Sequence, residues 1–301
     1  MTATTPDSQH RGLVGLLPSR LRPYALLARF DRPIGWWLLF WPCAWGVLLA
    51  GGAGDWALLA WLLAGSVAMR GAGCVYNDIL DRDLDRQVAR TAARPLASGA
   101  VATRAAWTWL AILCLVGLLV LLQLRWQAQV VALASLLPVA AYPLMKRITW
   151  WPQAWLGLVF SWGALVGWIE VRGDALGVLT LLYAGSVCWV IGYDTIYALQ
   201  DREDDALVGV RSSALRLGSR VRAGVAAFYF AAAVLWAGAF WLLRPDPLVL
   251  LALVPAALHL AWQVVTLNPD DGGSALDRFR SNRMAGLLVA LACFVVGNAG
   301  T

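Results

Sequence analysis

Nine apolar runs, each close to the length that crosses a bilayer, decide what this chain can fold into. A spanning helix needs about 20 largely apolar residues, because backbone polar groups in hydrocarbon find no water to bond. The runs cover residues 33–51, 56–79, 104–124, 127–143, 151–170, 175–199, 220–243, 247–267 and 283–299. The fourth is the shortest, and Pro138 and Pro143 are expected to kink or end it. Of the 301 residues, 60% are hydrophobic and 14% charged, whereas soluble domains carry about 25% charged residues. The expected fold is an all-α integral membrane protein with nine transmembrane helices.

The basic residues give that count a direction. Twenty arginines and lysines fall in the N-terminal segment and in alternate linkers. The opposite loops hold only Arg125, Arg172 and Arg244, and Arg70 lies within the second run. Excess positive charge marks the cytoplasmic side, so the N-terminus is expected in the cytoplasm and the C-terminus outside. The net charge of +6 thus follows membrane topology, and no nucleic-acid surface is expected. Residues 1–20 read as a cytoplasmic tail without the apolar core of a secretory signal, and residues 21–301 as a single transmembrane domain. Five cysteines in or beside apolar runs, with only two histidines, offer no zinc spacing.

Against this apolar background stand two acidic knots. NDILDRDLD (Asn77 to Asp85) follows the second run and DTIYALQDREDD (Asp194 to Asp205) follows the sixth, so both are expected on the cytoplasmic side. Together they hold nine of the eighteen acidic residues, and their layouts match: Asp81-xxx-Asp85 parallels Asp201-xxx-Asp205. The match suggests an internal parallel duplication. At about 100° per residue, Asn77, Asp78, Asp81 and Asp85 share an arc of about 100° on a helix, and Asp83 points away. Asp194, Asp201 and Asp205 fall within about 40° of one another on the same assumption. Such stripes of carboxylates repel one another unless a cation joins them. Oxygen donors without Cys or His favour Mg²⁺, which binds through a few carboxylates, waters and substrate phosphates. Two such faces suit a diphosphate. An isoprenoid diphosphate would ionise there to an allylic cation, which aromatic faces stabilise, and the chain has 18 Trp, 7 Tyr and 8 Phe.

The pattern N77-D78-x-x-D81-x-x-x-D85 followed by D201-x-x-x-D205 resembles the UbiA superfamily of intramembrane prenyltransferases. RFDRPIGWWLLFWPCAWG (29–46), GCVYNDILDRDLDRQVARTAARPLASG (73–99), YPLMKR (142–147), YDTIYALQDREDD (193–205) and FRSNRMAG (279–286) are similar to bacterial 4-hydroxybenzoate polyprenyltransferases of ubiquinone synthesis. The resemblance implies nine helices around a central cavity, and Mg²⁺-dependent transfer of a polyprenyl group from polyprenyl diphosphate to the ring carbon ortho to the hydroxyl of 4-hydroxybenzoate. It implies Asn77, Asp81, Asp85, Asp201 and Asp205 as metal–diphosphate residues, with Asp78 and Asp194 assisting. Lys146 and Arg147 become diphosphate contacts, Tyr142 a cavity residue near the cation, and Arg94 and Arg211 residues that close over the phosphates. Arg32 is the expected partner of the aromatic carboxylate. Each arginine has a plainer rival role, touching lipid headgroups as a topology determinant. The implied location is a bacterial inner membrane, multi-pass, surrounded by membrane lipid, with the site on its cytoplasmic side. The nearest alternative is a UbiA-type prenyltransferase with another acceptor, and two other classes fit less well. A CDP-alcohol phosphatidyltransferase needs glycines that the knots lack, and a cation-coupled transporter places its carboxylates nearer mid-membrane.

Overall fold

The computed structural model describes residues 13–87, 91–202 and 211–298. Every regular element among the described residues is helical. The helices used below are α1 (Arg22–Leu27), α2 (Ile34–Leu49), α3 (Trp56–Leu80), α4 (Arg82–Asp85), α5 (Thr103–Leu121), α6 (Trp126–Ala134), α7 (Leu136–Ile148), α8 (Pro152–Val171) and α9 (Leu176–Tyr197). They continue as α10 (Ser213–Leu217), α11 (Val221–Leu243), α12 (Pro247–Leu251), α13 (Val254–Thr266) and α14 (Gly272–Asn298).

Eight helical stretches among the described residues are long and apolar enough to span a bilayer, from Trp56–Leu80 to Gly272–Asn298. The first expected span is the 16-residue α2, an apolar helix below that length. The nine runs of the sequence are therefore eight full-length spans and one short helix. The fourth run breaks into α6 and α7 at Ser135. Pro138 explains the break, because it offers no N–H to the carbonyl of Ala134 and its ring crowds that group. Pro143, in contrast, is absorbed inside α7. Many large apolar side chains stay on the surface, among them Leu115, Leu119, Leu137, Phe230 and Val265. Such a surface suits lipid, not water.

The described residues gather into two compact units. One comprises the residues up to Trp37 together with Ala60–Gln123, the other Leu38–Leu59 together with the residues from Leu124 onward. In the first unit, Leu27, Ala28, Ala72, Val75, Leu96, Val101, Ala106 and Leu113 form one buried cluster. This cluster seats α1, the chain around Leu96 and the N-terminal half of α5 on α3. The edge-on pair of Tyr24 and Trp109, with ring centroids 6.2 Å apart, closes it.

α1 ends in a left-handed turn. The N–H of Arg29 donates to Leu26 O at 3.1 Å and that of Phe30 to Ala25 O at 2.9 Å, the double bond of a Schellman cap. The left-handed residue is Arg29, with φ of 59°. Glycine is the usual occupant, and a side chain there costs about 1 kcal/mol. The reason for an arginine lies in what its side chain reaches.

In the second unit, α8 packs on α2 and α9 on α11 at glycine contacts. A Cβ on Gly163 or Gly167 would collide with Cys43, and one on Gly192 with the ring of Tyr229. Between membrane helices such close approach replaces the hydrophobic effect as the source of packing energy. Trp45 sits at the centre, 4.9 Å from Trp189 and 5.3 Å from Trp236 between ring centroids, and its indole N–H donates to Gly286 O.

Candidate active site

The first acidic knot is set by the end of α3. α3 stops at Leu80, Asp81 leaves helical geometry with ψ of 3°, and the single turn α4 follows. Backbone bonds from Asp81 N to Asn77 O and from Asp85 N to Asp81 O still carry the helical stripe across this break. The expected grouping therefore holds locally. Asn77 Nδ2 donates to Asp81 Oδ2 at 3.1 Å. Asp78, 2% exposed, and the buried Asp85 share one cation, Arg94. Arg94 Nη1 donates to Asp85 at 2.8 and 3.1 Å and to Asp78 Oδ1 at 3.3 Å. Asp83 faces outward, 73% exposed, and bonds to Arg82.

Asp78 has a second cation. Arg29 Nη2 lies 2.9 Å from both of its carboxylate oxygens, while Arg29 Nη1 donates to Leu26 O at 2.9 Å. One side chain thus caps α1 and neutralises the end of α3. The strained backbone at Arg29 places its guanidinium for both. Burial, the largest single influence, would lower the Arg29 pKa, but Asp78, Cys74 and Asp31 together outweigh it, so the group is held more firmly protonated than usual. Asp85 is pushed above the ordinary aspartate range, because burial outweighs the opposing Arg94. Asp83 goes the other way, lowered by its hydrogen bond from Arg82.

Arg70 was counted in the sequence only as a charge inside a span. It lies two turns before Asn77 on the same face of α3, about 10 Å deeper along the helix. Its Nη1 lies 2.7 Å from Cys74 Sγ, and a Cβ on Gly35 would meet its Nε at 2.8 Å. An arginine in a membrane span that glycine makes room for is a functional candidate. Arg32 is partly buried, with Nε 3.5 Å from Asp31.

In the second unit, Asp194 is partly buried near the C-terminal end of α9. The helix tightens to a 3₁₀ turn over Ala198–Asp201, which carries Asp201. The steady 100° phase assumed from Asp194 to Asp201 is lost there, since a 3₁₀ turn advances about 120° per residue. Asp205 lies outside the described residues. Tyr193 and Tyr197, on either side of Asp194, both pack on Phe279, with centroids 5.9 and 4.5 Å away. Tyr142 is partly buried on α7, whose last turn holds Lys146 and Arg147. Among the described residues, the partners of Arg211 are a backbone carbonyl and an aromatic ring. Arg211 donates to Ile148 O at 2.8 Å and stacks over Trp150, 5.5 Å from the ring centroid. That places it beside the chain just after Lys146 and Arg147.

A buried polar network in this unit was not read from the sequence. Trp189 Nε1 donates to Asn282 Oδ1 at 2.8 Å. Asn282 Nδ2 donates to Gln263 Oε1 at 3.2 Å, and Tyr229 Oη donates to the same oxygen at 2.8 Å. Four helices, α9, α11, α13 and α14, are tied through it. The available signal was Gln263 within one apolar run and Asn282 at the edge of the last.

Among the described residues, no three His, Cys, Asp or Glu side chains form a ready metal cage. The donors present still suit a hard cation that keeps its waters. Asn77 and Asp81 offer an amide oxygen and a carboxylate on one turn, all-oxygen chemistry that Mg²⁺ accepts from one or two carboxylates. Asp85 fits as well, provided that Arg94 moves.

The UbiA prenyltransferase family model matches residues 39–295. A mitochondrial 4-hydroxybenzoate polyprenyltransferase from Drosophila melanogaster is 43% identical over 294 residues, 96% of this chain and 75% of the relative. Its Mus musculus counterpart is 43% identical over 293 residues, covering 95% and 77%. The apo structure of a UbiA homolog from Aeropyrum pernix K1 matches with a TM-score of 0.67 at 26% identity, covering 86% of this chain and 97% of that one. A UbiA homolog from Archaeoglobus fulgidus, bound to GPP and Mg²⁺, shares the fold, with a TM-score of 0.66 at 16% identity over 92% and 100% of the two chains. One expectation is corrected by the relatives: these polyprenyltransferases are mitochondrial proteins of eukaryotes, so the bacterial inner membrane does not stand. The motifs behind that expectation reflect the chemistry of the site, which does not depend on the compartment. A match across nearly the whole membrane-embedded chain, over an all-helical fold with an Asn–Asp stripe at a helix end, has one meaning: the chain belongs to the UbiA prenyltransferase family.

Proposed function

We propose that the chain transfers a polyprenyl group from polyprenyl diphosphate to the ring carbon ortho to the hydroxyl of 4-hydroxybenzoate, a step of ubiquinone synthesis. The observation that carries this reading is identity of 43% to a relative of that name across 96% of the chain. The polar end of α3 supports it. Asn77, Asp81 and Asp85, with Asp201 and Asp205, hold the metal–diphosphate. Bound Mg²⁺ supplies the positive charge that lets the diphosphate depart with the electron pair of the C–O bond.

The chain's own groups do the rest. Lys146 and Arg147 bind phosphate oxygens, and Arg211 beside them adds a third cation on that stretch. Asp78, already held by Arg29 and Arg94, orients the helix end and is not itself a ligand. The Tyr142 ring faces the allylic cation. The ring carbon of the acceptor attacks, and its proton leaves to restore aromaticity, with Asp194 as the acceptor of that proton. Arg70, deeper on the stripe of Asn77 and Asp81, holds the carboxylate of the aromatic acid. Its position favours it over Arg32, which is taken up by Asp31.

The test uses protein in lipid nanodiscs with 4-hydroxybenzoate and geranyl diphosphate, with Mg²⁺ or EDTA, and mass spectrometry of the product. Mg²⁺-dependent prenylated acid supports the reading. Diphosphate consumed without prenylated acid overturns the acceptor, and no consumption at all overturns the reaction class. Arg70→Gln is expected to raise KM for the aromatic acid far more than KM for geranyl diphosphate.

A further inference from the structure

Two carboxylates at the end of α3 differ in how many cations serve them. Asp78 is held by both oxygens from Arg29, at 2.9 Å each, and more loosely by Arg94 at 3.3 Å. Asp85 has a single cationic partner among the described residues, Arg94, at 2.8 and 3.1 Å. The two arginines also differ in mounting. Arg29 is fixed by the cap of α1 and is 13% exposed, while Arg94 is 26% exposed on the turn-rich chain that follows Thr91. If Arg94 left, Asp78 would lose only its longest bond, but Asp85 would be left as a buried, uncompensated charge. A divalent cation set on Asp85 while Arg94 stayed would meet a like charge at contact distance. A diphosphate resolves both problems, because its oxygens receive the guanidinium in paired hydrogen bonds and bring the metal's counter-charge with them.

We infer that Arg94 is the resident counter-cation of Asp85 and gives it up only when a diphosphate arrives, so that the protein accepts a metal–diphosphate pair and resists the bare metal. Arg29 makes the exchange possible, since it keeps Asp78 neutralised throughout. The inference rests on the proposed role of Asp85 as a metal residue. It adds an order of events that no single contact in the site requires.

The experiment measures Mn²⁺ retained by nanodisc-embedded protein on ultrafiltration, with and without inorganic pyrophosphate. In the unaltered protein, pyrophosphate is expected to raise Mn²⁺ affinity by about tenfold or more, within the usual range of coupling between two ligands. Arg94→Gln should bind bare Mn²⁺ about fivefold tighter than the unaltered protein, with the pyrophosphate effect largely lost. Arg94→Lys keeps the charge and should keep bare binding weak. Asp85→Asn gives a second arm that does not depend on the folding of the Arg94 variants. It should change bare Mn²⁺ binding by no more than about twofold, yet weaken pyrophosphate-supported binding by about tenfold. The inference is overturned if Arg94→Gln folds and gains no affinity for bare Mn²⁺. It is equally overturned if Asp85→Asn weakens bare and supported binding alike. Absence of any pyrophosphate-supported Mn²⁺ in the unaltered protein removes the metal role of Asp85, and the inference falls with it.

Discussion

Asp81 and Asp83 are two residues apart and have opposite surroundings. Asp81 shares a hydrogen bond with Asn77 on the stripe, whereas Asp83 is 73% exposed and bonded to Arg82. Asp81→Asn is expected to cut turnover by about a hundredfold or more, the scale of losing one electrostatic element of a site. Asp83→Asn should leave turnover within about twofold and the melting temperature essentially unchanged, as for surface ion pairs. Steady-state rates and thermal melts of the two variants compare them directly; equal losses in both would remove the stripe as the organising feature. Arg29→Leu strands part of a buried carboxylate and should cost about 3 kcal/mol of stability, read as a lowered Tm in detergent. At this scale the sequence told only half. Asn77, Asp78, Asp81 and Asp85 lie within one local stripe, so spacing alone exposes them. Arg29 lies 49 positions from Asp78, and no periodicity connects them. Arg94 was legible as a basic residue near the knot, but its partner was expected to be phosphate and is, in this state, Asp85.

Among the elements, the apolar runs were the most legible part of the chain, because a membrane tolerates few alternatives to a helix. Their interruptions were legible to the extent that proline dictates them. Pro138 breaks the fourth span, but Pro143 lies within α7 and does not end it. The helical phase of the second knot was misjudged, because the 3₁₀ turn at Ala198–Asp201 has no sequence marker of its own. Asn282 acts at this scale. Through Trp189 it fixes the rotation of α9, on which Asp194 sits one turn and a residue further along. Asn282→Leu leaves the indole N–H of Trp189 without a partner and should cost about 1–2 kcal/mol. Trp189→Phe removes that donor, so the double variant should be no less stable than Asn282→Leu alone. Additive losses in this double-mutant cycle would mean that the two side chains are not coupled.

The whole molecule has a lopsided charge and an apolar surface. From twenty basic residues against three, on alternating linkers, the loop at Asp174 and the loop at Asp270 are expected on opposite faces of the membrane. Both side chains are well exposed, 70% and 82%, so a cysteine at either position should be reachable without disturbing the fold. In sealed vesicles of one orientation, Asp174→Cys and Asp270→Cys are expected to react with an impermeant maleimide from opposite sides. Labelling of both from one side would break the alternation on which the span count depends. The apolar spans were readable because apolar length is a property of the chain itself, while the polar network of the second unit had to await the packing of four helices. One contact reaches further than its size suggests. Arg29 lies in the turn that closes a short helix ahead of the first apolar run and serves a carboxylate at the end of another helix, so the two positions are coupled by one ion pair. A change at Asp78 alone leaves the Arg29 guanidinium without its carboxylate, and a change at Arg29 alone leaves Asp78 with only the longer bond from Arg94, while Arg29→Gln with Asp78→Asn together restores the balance. A chain trimmed to begin at its first apolar run would keep every span and both acidic knots, and still lose the partner that holds the first knot's aspartate by both oxygens.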